Sequence, residues 1–213
     1  NSTIFNNTIM VYNSSNPSMT YSIGIKFPSA SNYNNISFNN ITGVLPGAIT
    51  GMEEDYSYGN IITNNVITLS VVGTFRSGIW IEGFSNNPGS NITSNNITII
   101  SYGTEGFGIR DGQGRSDNRY TLNRVTVSGL GTTGIDIVSA DNNFVTSNTI
   151  TATGSTAYGI YLHSSIDNAT VSSNTVTVNG QNAIGMYFSG INASAVSNNN
   201  ITTESCGISR SPD

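Results

Sequence analysis

Residues 134–158, GIDIVSADNNFVTSNTITATGSTAY, are followed by residues 159–184, GIYLHSSIDNATVSSNTVTVNGQNAI, and the second segment repeats the first almost phrase for phrase. Both open on Gly-Ile. Both carry an Asn-x-(Ile or Val) phrase, Asn148 to Ile150 and Asn174 to Val176, and both place another apolar residue five positions before that anchor, at Val145 and Val171. A fixed period of this kind decides architecture before any single motif does.

Outward from this segment the Gly-Ile phrase reads as Gly24-Ile25, Ala48-Ile49, Gly78-Ile79, Gly108-Ile109, Gly134-Ile135, Gly159-Ile160, Gly185-Met186 and Gly207-Ile208. The Asn phrase reads as Asn7, Asn39, Asn64, Asn95, Asn123, Asn148, Asn174 and Asn199, each two residues before an Ile or Val. The third anchor falls at Ile36, Ile61, Ile92, Tyr120, Val145, Val171 and Val196. Each unit therefore holds three short strands, none able to bury its side chains alone, so the units must stack. Period-two alternation in Gly159 to His163 points Ile160 and Leu162 inward and Tyr161 and His163 outward. The repeated asparagine tolerates the left-handed backbone region, and its amide can bond to the next asparagine along the stack, so these eight residues are expected to form a structural ladder. The glycines recur in every coil with no helix after them. They fit a close backbone approach and not a phosphate cradle.

These repeats resemble those of the right-handed parallel β-helix proteins, the pectin-lyase-like fold, with further likeness to periplasmic copper-maturation-type solenoids and archaeal or bacterial adhesin-like surface proteins. The resemblance covers almost the whole chain. It implies an all-β, single-stranded right-handed parallel β-helix of about seven coils with three short strands each, and it supplies the handedness. Polysaccharide lyases and hydrolases, epimerases, tail spikes and adhesins share that architecture, so it does not choose a chemistry.

Composition narrows the rest. Asn, Ser and Thr make up 86 of 213 residues, charged residues 9%, and the net charge is -5 with seven Lys and Arg. Helix formers are too few for a bundle, and no basic stripe exists to neutralise a nucleic-acid backbone. No 18-residue apolar run suggests a membrane span. The single Cys206 and single His163 give neither an internal disulfide nor a zinc or copper ligand set, so no metal and no cofactor are expected. Residues 1–213 read as one β-helix domain. Repeats run to both ends of the chain, which is expected to be a piece of a longer solenoid whose ends are capped by flanking domains or neighbouring subunits.

Chemistry is expected on the outward positions of the Gly-Ile strands. Trp80, Glu82, Arg110, Asp136, Tyr161, His163 and Tyr187 would line one stripe, with coils about 4.8 Å apart, and form a carbohydrate-binding surface in which aromatic rings face sugar rings. If the chain is an enzyme, Asp136 would work with Glu82, Arg110, Asp111 or His163, since glycoside hydrolysis needs two carboxylates. Alternation sends Asp111 inward unless a turn begins there. Inserted loops are expected at Ser14 to Ser22, Glu53 to Gly59, Thr74 to Ser77, Phe84 to Ser90 and Tyr102 to Gly106, and Arg110 to Arg119 is the one charge-dense stretch. Ten Asn-x-Ser/Thr acceptors occur, of which Asn40, Asn96 and Asn200 precede a core anchor and are expected to face outward as possible N-glycosylation sites. Three functions stay open: an extracellular adhesin-like module binding a glycan or cell-surface component, a polysaccharide-degrading enzyme, and a structural spacer.

Overall fold

The computed structural model describes residues 1–12, 21–45, 47–72, 76–83, 88–103, 105–112 and 116–211. The expected insertions at 14–22, 74–77, 84–90 and 102–106 and the centre of the stretch 110–119 lie wholly or partly outside the described residues. The described strands form three parallel sheets of eight strands each, stacked through about seven turns of a coil. One rung runs Phe144–Thr146 in the first sheet, Thr149–Thr153 in the second and Thr156–Asp167 in the third. Every strand pairs in parallel with its counterpart one rung away. This is an all-β parallel β-helix, and the parallel crossovers make it right-handed.

Three inward columns fill the interior. Ile92, Tyr120, Val145 and Val171 come from the first sheet, Ile97, Val125, Ile150 and Val176 from the second, and Ile109, Ile135, Ile160 and Met186 from the third, all fully or almost fully buried in one cluster. The asparagines at the bend between first and second sheets form the expected ladder. Asn123 shows the pattern: its Nδ2 donates to Asn148 Oδ1 at 3.1 Å and to Ile92 O at 2.8 Å, while its Oδ1 accepts from the backbone N–H and Nδ2 of Asn95, each at 3.0 Å. All the hydrogen-bonding capacity of each buried amide is thereby used.

The second and third rungs differ from the sequence reading, the third at its asparagine and its anchors. Asn65, and not Asn64, carries the ladder, linking Asn39 and Asn95 at 3.0 Å on both sides, while Asn64 is exposed at φ 55°. Ile62 and Ile67 are the buried anchors in place of Ile61 and Val66. The stretch Ile61-Ile62-Thr63-Asn64-Asn65-Val66-Ile67 doubles each anchor, so two readings one residue apart share the same spacing of five. Packing selects one of them, since a one-residue slip would turn every side chain to the opposite face. In the rung before it the third-sheet phrase is Gly51-Met52 and not Ala48-Ile49, because Met52 pairs with Ile25 and Ile79. Consequently Glu53 and Asp55 do not sit in an inserted loop. They end the strand Ala48–Asp55.

A second ladder escaped the sequence reading. The backbone N–H of Asn34, Asn60, Ser90 and Asn118 donates to the side chain of Asn60, Ser90, Asn118 and Asn143 respectively, at 2.7–3.0 Å. These residues stand two positions before the first-sheet anchors, the same Asn-x-apolar spacing as the first ladder, and Ser90 in the middle hides the series.

The glycine column closes the corner between second and third sheets. A Cβ on Gly134 would lie 2.3 Å from Ile150 Cγ2 and 2.5 Å from Gly159 O, and Gly108 and Gly159 are equally crowded. The strand bends there, so two consecutive residues, such as Gly108 and Ile109, both turn inward.

Candidate functional site

Charge is distributed unevenly over the three faces. Strands of the first two sheets contain only Arg119 and Arg124 among Asp, Glu, Lys and Arg, while the third sheet carries most of the described charged side chains and the chain's one histidine. Its strands are Tyr21–Phe27, Ala48–Asp55, Arg76–Glu82, Glu105–Asp111, Gly131–Val138, Thr156–Asp167, Ile184–Asn192 and Cys206–Arg210. In register along its outward face stand Lys26, Glu53, Trp80, Arg110, Asp136, Tyr161 and Tyr187. The expected stripe therefore exists, yet its side chains gather into two separate clusters.

The first cluster is an open groove of ≈ 360 Å³ lined by Glu105, Phe107, Arg110, Thr132, Thr133, Asp136, Thr156, Tyr158, Tyr161 and His163 among others. Asp136, 2% exposed, is its pivot. Its Oδ2 lies 3.3 Å from Arg110 Nε and its Oδ1 lies 3.1 Å from His163 Nε2. Arg110 also rests on the Phe107 ring at 4.4 Å, a cation–π contact that fixes the guanidinium plane. His163 reaches Asp136 diagonally across rungs, because its own register partner is Val138. A bulge follows it, with Ser164 and Ser165 at φ 69° and 65°, and Ser164 Oγ lies 3.0 Å from His163 Nδ1. Bulges re-aim the adjacent side chain, and here the imidazole is held at both nitrogens.

Aromatic rings build the other wall. Tyr161 stacks on Tyr158 at 4.9 Å and on His163 at 4.1 Å, and Tyr187 continues the platform one rung on at 5.2 Å. Burial, then the neighbouring Tyr158, Tyr187 and Asp136, raises the Tyr161 hydroxyl pKa, so it remains a protonated donor at neutral pH. The arrangement offers flat apolar faces beside fixed hydrogen-bonding groups.

The second cluster gathers Trp80 and Glu82 with four groups that the repeat reading does not place on the stripe, Tyr21, Lys26, Glu53 and Asp55. Glu53, 3% exposed, accepts from Lys26 Nζ at 2.6 Å and from the Tyr21 hydroxyl, and Lys26 also pairs with Asp55 at 3.2 Å. Trp80 meets Tyr21 edge to face at 6.2 Å, and its Nε1 lies where a Cβ on Gly112 would come within 2.9 Å. Glu82 stands in register with Asp55. Its pKa is raised by burial, then by Asp55 and Glu53. The hydrogen bond to Glu53 raises the Lys26 pKa.

Because Glu82 binds its proton more tightly when folded, the native state is favoured below the unfolded value of 4.5 and loses that advantage as pH rises through the folded value. Glu82→Gln is expected to match wild type in acid and to exceed it near neutral pH, by less than about 1 kcal/mol at this partly exposed, screened site. Denaturant midpoints of both proteins across that range test it, and a difference that is independent of pH contradicts it.

Two catalytic candidates are displaced. Asp111 points inward, fully buried, where Tyr120 Oη and Asn118 Nδ2 donate to its Oδ2 at 2.7 and 2.9 Å. The strand stays regular to that residue, so no turn releases it beside Asp136. Glu82 is not brought to Asp136 either, since two rungs, about 9.6 Å by the strand spacing, and two residues along the strand separate them. Phe107, Tyr158 and Glu105 are not among the residues expected from sequence, because the Gly-Ile phrase marks the strand only from the glycine onward. The bend at Gly108 and Gly159 shifts the alternation, and residues just before it also face outward. Asn40, Asn96 and Asn200 are exposed at the outer edge of the second sheet, as expected. Among the described residues no group of three or more His, Cys, Asp or Glu is placed to hold a metal ion, and no helix is long and apolar enough to cross a membrane.

Residues 69–211 match the family model described as right handed beta helix region. No curated protein and no solved structure matches the chain.

Proposed function

The chain belongs to the right-handed β-helix family, and from that premise we propose that it is an extracellular, adhesin-like surface module that binds a glycan or glycan-bearing cell-surface component through its third sheet. One observation carries the reading: the Tyr158–Tyr161–Tyr187 platform borders a groove whose floor is the Arg110–Asp136–His163 trio. Sugar rings present C–H faces that pack on aromatic rings and hydroxyls at their edges that need directed donors and acceptors. Stacked tyrosines, threonine hydroxyls and a clamped carboxylate meet both needs on one surface. The other two sheets present mostly Asn, Ser and Thr with little charge, and the exposed acceptors Asn40, Asn96 and Asn200 lie there, so glycans on them would leave the groove face open.

A second reading, cleavage of the bound polysaccharide, is favoured by the placement of Asp55 and Glu82 on adjacent rungs, with Glu82 held protonated to higher pH than usual. One experiment separates the two. A glycan panel is screened for binding, and every binder is then analysed for new reducing ends or unsaturated products. Binding without products is the expected result; turnover lost in Glu82→Gln selects the enzyme. Tyr161→Ala is expected to weaken the best binder at least about tenfold by calorimetry, as truncating a central aromatic anchor does, with an unchanged circular dichroism spectrum. Unaltered affinity would remove the groove from the site.

A further inference from the structure

Building on the glycan reading, we infer that the groove selects uncharged sugars and rejects uronates and other anionic glycans. Six carboxylates face outward on the described third sheet, Glu53, Asp55, Glu82, Glu105, Asp136 and Asp167, against two cations in the body of the stripe. Both cations are committed. Lys26 pairs with Glu53 and Asp55, and Arg110 pairs with the nearly buried Asp136 while lying on Phe107. Arg210, on the last rung, donates its Nη2 to Ile191 O.

A ligand carboxylate that reaches Arg110 would have to share its guanidinium with Asp136, whose Oδ2 lies 3.3 Å from Nε. Sharing weakens the compensation of a carboxylate only 2% exposed, and a buried charge is costly unless it is fully paired. The incoming anion would also stand among Glu105 at the groove wall and the acidic cluster that begins one rung beyond Arg110. Like charges set face to face disfavour association by themselves. A neutral sugar meets no such opposition. Its hydroxyls can donate to Glu105 and exchange hydrogen bonds with Thr132, Thr133 and the protonated Tyr161, while its ring lies on the tyrosines.

The test uses the full chain and oligosaccharide pairs matched in length, linkage and anomeric configuration that differ only in oxidation at C6: cello-oligosaccharides against β-linked oligoglucuronates, and α-linked galacto-oligosaccharides against oligogalacturonates. Titration calorimetry at low and high salt is expected to show the neutral member binding about tenfold tighter at low salt. The gap should narrow at high salt as the repulsion is screened, and narrow again in Asp136→Asn, which releases Arg110 to an anion. A uronate that binds as tightly as its neutral partner at low salt, or more tightly, overturns the inference. If neither member of either pair binds while another glycan of the panel does, selection by charge in this groove is wrong though the glycan reading stands. Silence across the whole panel ends both.

Discussion

Replacing Gly134 by valine is expected to lower stability by about 3 kcal/mol, the upper part of the range for overpacked cores. The new Cβ alone would lie 2.3 Å from Ile150 Cγ2 and 2.5 Å from the Gly159 carbonyl oxygen, and neither can retreat. Ile150 is fixed in the second-sheet column between Val125 and Val176, and Gly159 O belongs to the neighbouring strand. The two valine methyls extend the same clash. Guanidinium denaturation is the measurement, with Gly131→Val as the comparison, because Gly131 lies at the start of the same strand in the groove lining and outside the crowded corner. Equal losses in the two variants would mean that the corner is not what requires glycine.

The second large effect is expected in the amide ladder. Asn123→Ala removes two donated and two accepted hydrogen bonds at once and strips partners from Ile92 O and the Asn95 backbone N–H, both in the interior. An orphaned buried polar group costs about 1–3 kcal/mol, so the loss is expected to reach about 4 kcal/mol. Asn64→Gly, one residue off the ladder and in the left-handed region that glycine accepts, should change stability by less than about 0.5 kcal/mol. Asn65→Ala should behave like Asn123→Ala. Denaturation curves for the three variants decide which asparagine of the doublet is structural; a larger loss at Asn64 than at Asn65 would reverse the register given for that rung.

That doublet shows where a one-dimensional reading gives out. The regular rungs from Gly134 onward were readable because each anchor is a single residue flanked by polar ones, so only one phase buries the apolar set. At Ile61-Ile62, Asn64-Asn65 and Val66-Ile67 both phases look equally good, and the choice belongs to neighbours about 30 residues away in sequence, Ile36 and Ile92. The same ambiguity hid the acidic cluster. From sequence, Ala48-Ile49 takes the place of the Gly-Ile phrase and puts Glu53 and Asp55 in a loop; the Gly51-Met52 pair, of the same type as Gly185-Met186, is the signal that corrects it.

Sequence alone determined the three-strand repeat, the stacked parallel architecture, the inward columns and the amide ladder, because all of these follow from spacing that recurs in every coil. It also placed Arg110, Asp136, Tyr161 and His163 on one outward face. Tertiary structure decided which of those side chains meet. His163 reaches Asp136 diagonally across a rung beside a bulge, Phe107 and Tyr158 enter the groove because the chain bends at Gly108 and Gly159, and Asp111 stays in the core because past that bend its strand runs regularly from Ile109 to its end. Spacing reports where a residue stands along a strand, while the direction and reach of its side chain depend on local bends and on the rungs above and below it.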